Sequence, residues 1–136
     1  MAKIVLCENR LKREFAGAAK AVTTLVYKIC TAADWRVVQQ AGVFHGAGVD
    51  LKDGYIHLSA PGQVVETAER HFAGQRDLML VAVDSGALGP ALKWEAARDG
   101  ALFPHLYGPL GLHAVVWTKP LPLDRVGRHV FPELVP

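Results

Sequence analysis

The order of elements in this sequence predicts an α+β domain. Three observations carry that prediction. Strand and helix signals alternate as β-α-β-α-β and then give way to strands alone. Both helical stretches carry start and stop residues. No GxGxxG or GxxxxGK[ST] loop links a strand to a helix, so a doubly wound nucleotide fold has no support.

Leu25-Val26-Tyr27-Lys28-Ile29-Cys30 reads as the first strand. Thr31 offers an N-cap, with Asp34 three residues later. The helix it opens runs to about Ala41, with Trp35, Val38 and Ala41 on one stripe, and Gly42 stops it. Residues 43–54 hold several glycines and the Lys52-Asp53-Gly54 turn signal, so a loop is expected. Tyr55 to Ser59 forms a strand. Ser59 caps the next helix, Pro61 lies in its first turn, and Val64, Val65, Ala68 and Phe72 form its buried stripe. Glu66 and Arg70 pair on its outer face, and Gly74 ends it. Between Asp77 and Asp84, Leu-Met-Leu-Val-Ala-Val is continuously apolar, as in a strand covered on both faces. Leu92 to Ala97 and His113 to Thr118 are further strands, with Pro120 and Pro122 stopping the last.

The chain divides into an N-terminal extension (1–22), one globular domain (23–121) and an irregular tail (122–136). In the extension, Leu11, Phe15, Ala18 and Val22 recur at helical spacing. Residues 1–20 hold five basic side chains against two acidic ones. The remainder has one more acidic than basic residue, so the body is no basic surface for nucleic acid. No apolar run is long enough to cross a bilayer. The start Ile4–Cys7 is shorter than a signal-peptide core and runs into Glu8, Arg10, Lys12 and Arg13. With two cysteines and no CxxC pair, a reducing cytoplasm is expected.

Strand alternation locates the chemistry. Tyr55, His57 and Ser59 share one face of their segment, opposite Ile56 and Leu58. Lys93 and Glu95 share a face opposite Leu92, Trp94 and Ala96. In FPHLYG, residues 103–108, alternation puts Phe103, His105 and Tyr107 together, away from Pro104 and Leu106. Aromatic faces can stack on a planar ring, and a histidine can donate or accept. Each group also has a structural reading: a solvated strand face, or an aromatic pair around a hydrogen-bonded histidine. No HxH, HExxH, Cys-His cluster or GxSxG elbow appears, so no metal site and no serine nucleophile is expected. His71 and His129 read as structural and tail-surface residues.

GYIHLSAPGQ (54–63), LKWEAA (92–97) and FPHLYGPL (103–110) resemble the bacterial family known as domain of unknown function 952, over about Leu25 to Thr118. That family is similar in fold to ADP-ribosyltransferases, which implies split, mostly antiparallel sheets with two main helices and a cleft for NAD. The resemblance offers His57, then Ser59 or Tyr55, then Glu95 as counterparts of the transferases' site residues. His105, whose FPHLYG segment has no counterpart there, joins His57 and Glu95 as a catalytic candidate from its strand face. Tyr55, Ser59, Gln63, Trp94, Phe103 and Tyr107 are the candidate ligand contacts. His57 would bind and orient, and Glu95 would act as the electrostatic or general-base carboxylate. The sequence departs from the transferases in lacking an ExE or QxE pair. Three functions stay open: an ADP-ribosyl- or phosphotransferase-like enzyme, a non-catalytic module binding a nucleotide or other small molecule in the same cleft, and a packing or partner-binding domain.

Overall fold

The computed structural model describes residues 24–134, so the expected N-terminal helix and Cys7 lie outside it. The described chain runs β1 (Leu25–Thr31), α1 (Ala32–Ala41), β2 (Val43–Phe44), α2 (Val49–Asp53), β3 (Ile56–His57), α3 (Val64–His71), β4 (Leu78–Asp84), β5 (Leu92–Ala96), β6 (Leu102–Leu106), β7 (Leu110–Gly111) and β8 (Val115–Leu121). It is a small α+β domain in which every strand pairing is antiparallel. One sheet has the order β1-β4-β8, a second β3-β6-β5, and β2 pairs with β7.

The apolar run of β4 takes the central place its composition requires. Leu78, Leu80 and Ala82 pack into one core with Tyr27, Ile29, Val64, Ala68 and Leu121. Val81 and Val83 face a second core with Val26, Trp35, Phe44, Ile56 and Leu106. Alternation along β4 thus sends neighbouring side chains to opposite interiors. The same alternation on β1 sends Lys28 with Val26 and Cys30 toward the α1 side.

The first helix begins and ends as its sequence dictates. Thr31 Oγ1 accepts from the Asp34 N–H at 3.0 Å. Gly42 adopts φ 80°, a left-handed conformation that costs glycine little, and its N–H donates to the Val38 carbonyl. Thr31→Ala is expected to lower stability by about 1 kcal/mol. The check is a lower urea midpoint at unchanged denaturant slope. Trp35 and Val38 are buried, but Ala41 is exposed because the helix ends there and the chain turns away into β2.

Several expectations need correction. Residues 43–54 are not a plain loop: they contain β2 and the short helix α2, closed by Gly54. The strand expected over residues 55–59 is regular only at Ile56–His57. Ser59 does not cap α3. Its backbone is held in an extended bridge to Tyr27, with bonds of 2.8 and 2.9 Å between the two residues. Gln63 occupies the cap position, and its Oε1 accepts from the Ala60 N–H in the turn that precedes the helix and contains Pro61. Val65 is exposed, since it lies about 100° around the helix from the buried Val64–Ala68 stripe. The Glu66–Arg70 pair forms at 2.7 Å.

The last strand starts later and ends later than read, after a turn of 3₁₀ helix at Leu112–Ala114. Pro120 lies inside it without stopping it, because β8 is an edge strand. Beyond it, residues 122–134 form only a Leu123–His129 bridge. Phe131 and Leu134 pack back on the β4 core, and His129 Nε2 bonds the Gln75 carbonyl at 2.8 Å. His129 is therefore a tie between tail and body, and is half-buried.

Candidate functional site

The second sheet delivers the site. His57 pairs with His105 across β3 and β6, while Lys93 pairs with His105 and Glu95 with Phe103 across β5 and β6. Directly paired residues share a face, so these side chains all project to one side. Tyr55 and Tyr107 extend that face at the strand ends. The Tyr55 ring stacks on His105 at 4.2 Å and contacts His57 and Tyr107 at 4.6 and 5.1 Å. The two histidine rings meet edge-on at 5.6 Å.

His105 is buried and bonds Glu95 Oε1 through Nδ1 at 2.8 Å. The Tyr107 hydroxyl donates to the same oxygen at 2.7 Å. These bonds, His105 first, hold the Glu95 carboxyl below its ordinary range. A carboxylate only accepts, so His105 donates through Nδ1, the tautomer in which Nε2 is the acceptor. The bond to Glu95 pushes the Tyr107 phenol up to about 12. Burial, then the charges of Asp53 and Glu95, raise Tyr55 as well. Glu95→Gln is expected to bring Tyr107 back toward the ordinary phenol value of 10, readable by ultraviolet difference titration.

A second hub escaped the sequence reading. Asp50 on α2 is 2% exposed. Its Oδ2 accepts from Lys28 Nζ at 2.7 Å and the Ala47 N–H at 3.1 Å. Its Oδ1 accepts from the His57 N–H at 3.0 Å and lies 2.6 Å from His57 Nδ1. Burial alone would push this carboxyl up. The His57 side-chain bond, the Lys28 charge and bond, and the His57 backbone bond outweigh it and hold Asp50 at about 2. Gly46 makes room for the hub, since a Cβ there would stand 2.8 Å from Asp50 Cβ. His57 Nε2 meets Asp53 Oδ2 at 3.0 Å, so both of its ring nitrogens are occupied and neither is free to act as a base.

A cavity of about 680 Å³ opens between the β1 edge and the second sheet. His57, His105, Ser59 and Phe103 lie on its wall, as do Lys28, Thr67 and Arg98, which the sequence reading had not singled out. His71, read as structural, is exposed and also borders it. Glu95 and Tyr55 stand off the wall, against the histidines, and Tyr107 joins them through Glu95 and the Tyr55 ring. Gln63 is off it too, and its Nε2 ties to the Leu102 carbonyl at 2.7 Å. Trp94 pairs with Pro104, which puts it on the opposite face of β5 from Glu95, 44% exposed at the sheet edge. The structure therefore brings His57, His105, Ser59 and Phe103 to one cavity, keeps Glu95, Tyr55 and Tyr107 behind them, and leaves Trp94 elsewhere.

Two other chemistries are constrained. Burial pushes the Cys30 thiol up to about 11, so it is protonated at neutral pH and a poor nucleophile. Among the described residues, no three His, Cys, Asp or Glu side chains are grouped to hold a metal ion. Nor is any helix there long and apolar enough to cross a membrane.

Fold and site together define a small antiparallel α+β domain with a cavity of ligand dimensions between its sheets. The chain belongs to the family described as protein of unknown function (DUF952), which matches residues 29–118. All three sequence blocks that suggested this family fall in that span. The chain is similar to protein CC0527 from Caulobacter crescentus. The crystal structure of that protein shares 50% identity and a TM-score of 0.76, covering 79% of this chain and 94% of that one. Its solution NMR structure shares 50% identity and a TM-score of 0.70, covering 76% and 90%. No protein of curated function matches the chain.

Proposed function

We propose that this domain binds a small molecule with a planar, hydrogen-bonding group in the cavity between its sheets. One observation carries the reading: His57 and His105, distant in sequence, meet on the wall of a single cavity with Phe103 and Ser59. His57 is anchored at both nitrogens and shapes the wall. His105 offers Nε2 to the ligand, and Phe103 gives it an apolar surface.

The Glu95–His105 pair favours a second reading, as an enzyme. The resemblance to ADP-ribosyltransferases read from the sequence blocks would bring NAD and a carboxylate facing its ribose. Glu95 does not fit that place, because it lies off the wall with Oε1 bonded to His105 and Tyr107. The arrangement suits general-base chemistry instead. His105 Nε2 would take a proton from a hydroxyl or water, while Glu95 holds the Nδ1 proton and stabilises the resulting imidazolium. Transfer of a phosphoryl or ribosyl group to that oxygen is the reaction class it would serve.

Calorimetry with NAD, ADP-ribose and AMP tests both readings. The binding reading predicts a saturable isotherm for at least one of them that His105→Ala weakens. Silence from all three at millimolar ligand removes it. Where a ligand binds and is turned over, Glu95→Gln separates the two readings: unchanged turnover clears Glu95 of a chemical role.

A further inference from the structure

The basic side chains of the cavity wall are not equally partnered. Lys28 Nζ lies 2.7 Å from Asp50, and His57 is held by Asp50 and Asp53 at 2.6 and 3.0 Å. Arg98 differs. The carboxylate nearest its Nη1 is Glu66, at 3.8 Å, and Arg70 already binds that same Glu66 oxygen at 2.7 Å. Among the described residues the Arg98 side chain makes one hydrogen bond, from Nη2 to Thr67 Oγ1 at 2.9 Å, and its buried Nη1 has no hydrogen-bond partner. A buried donor without a partner is costly, and a guanidinium is built to close on two oxygens at once.

Arg98 is also held in place. The β5–β6 connection is closed by the Ala97 N–H to the Ala101 carbonyl at 2.9 Å, with Asp99 in the left-handed region at φ 56°. The guanidinium lies over the Phe103 ring at 4.6 Å, which fixes its plane. Beside it, Thr67 donates to the Gln63 carbonyl and shares a 3.0 Å bond with the Ser59 hydroxyl. Arg98, Thr67, Ser59 and Phe103 all line the cavity.

The geometry points to a phosphate subsite at this end of the cavity: Arg98 grips two oxygens, and the Ser59 hydroxyl, its proton turned from Thr67, donates to a third. This rests on reading the cavity as a ligand site and adds the ligand's class, a phosphorylated small molecule whose ring lies toward His105. Phosphate is preferred to carboxylate because it has an oxygen to spare for the hydroxyl after the guanidinium takes two.

Inorganic phosphate is the first probe, titrated at constant ionic strength against the wild-type chain and followed by backbone amide NMR. Saturable shifts at Ser59, Thr67 and Arg98 are expected, with acetate at least fivefold weaker. Arg98→Gln is expected to raise the phosphate dissociation constant tenfold or more. Arg98→Lys, which keeps the charge and the fold but not the fork, should raise it several-fold. Shifts that do not saturate, that Arg98→Gln leaves unchanged, or that show an adventitious ion only, overturn the subsite. AMP and adenosine then separate this inference from the cavity reading. If both bind equally and Arg98→Gln does not alter AMP binding, the cavity stands and the subsite falls. If phosphate binds through Arg98 and neither nucleoside nor nucleotide gains from His105, the subsite stands and the ring site falls.

Discussion

Asp50→Ala is expected to remove about 3–5 kcal/mol of folding stability, since it leaves a buried ammonium without its counter-charge. The Lys28 side chain is 10% exposed, and without Asp50 its only remaining bond among the described residues is to the His57 carbonyl at 3.1 Å. The Ala47 and His57 N–H groups and His57 Nδ1 lose their acceptor in the same step. Chemical denaturation monitored by circular dichroism measures the loss. Replacing both charges with apolar residues, Lys28→Met with Asp50→Leu, is expected to cost less than Asp50→Ala alone, because no unpaired charge stays buried. Acid supplies an independent check. The folded Asp50 carboxyl is depressed to about 2 from 3.8, so its contribution is complete above 3.8 and disappears as pH falls through about 2. Between pH 5 and 2, wild type should lose more stability than Asp50→Asn, and their urea midpoints should converge.

His105→Ala is expected to weaken ligand binding by about 10- to 100-fold, the loss of one buried hydrogen bond and a ring contact. The substitution also removes the partner of Glu95 and the ring stacked on Tyr55, so a structural effect must be separated from a direct one. Two variants do this. Asparagine can place its amide near Nδ1 and keep the bond to Glu95 while losing Nε2. Glutamine can place its amide near Nε2 while losing that bond. If His105 meets the ligand through Nε2, His105→Asn should bind as poorly as alanine despite near-wild-type stability, and His105→Gln should recover part of the affinity. Wild-type affinity in His105→Asn would show that the residue serves the fold alone. Calorimetry with the tightest of the three nucleotide probes reads the outcome.

The fold was legible where physics acts locally. Thr31, Asp34 and Gly42 bracket α1 through bonds that span at most four residues. The apolar run of β4 has no polar face to offer solvent, so it had to be central. Alternation placed Tyr55, His57, Phe103, His105 and Tyr107 on common faces, and the strand registers bring those faces together. What stayed hidden depends on distant partners. Lys28 looks like a charge in an apolar strand until Asp50, 22 residues on, arrives beside it. Asp50 itself stands in a glycine-rich stretch whose composition signals a loop, and its short helix is stabilised by contacts no local pattern encodes. Arg98 sits in a hairpin connection where a basic residue usually faces water. Trp94 misled in the opposite sense: it was a candidate ligand contact although its strand parity set it on the face away from Glu95, and parity prevailed.

The paired hydrogen bonds between Tyr27 and Ser59 join the first sheet to the chain just beyond β3, and the Leu58 N–H continues that line to the Pro104 carbonyl. The cavity thus straddles a stitched seam, with walls anchored to a shared backbone. Prying its sides apart would break main-chain bonds. The cavity is therefore held at a fixed width by its backbone, and the seam amides at 27 and 59 should be among the last to exchange their protons with solvent.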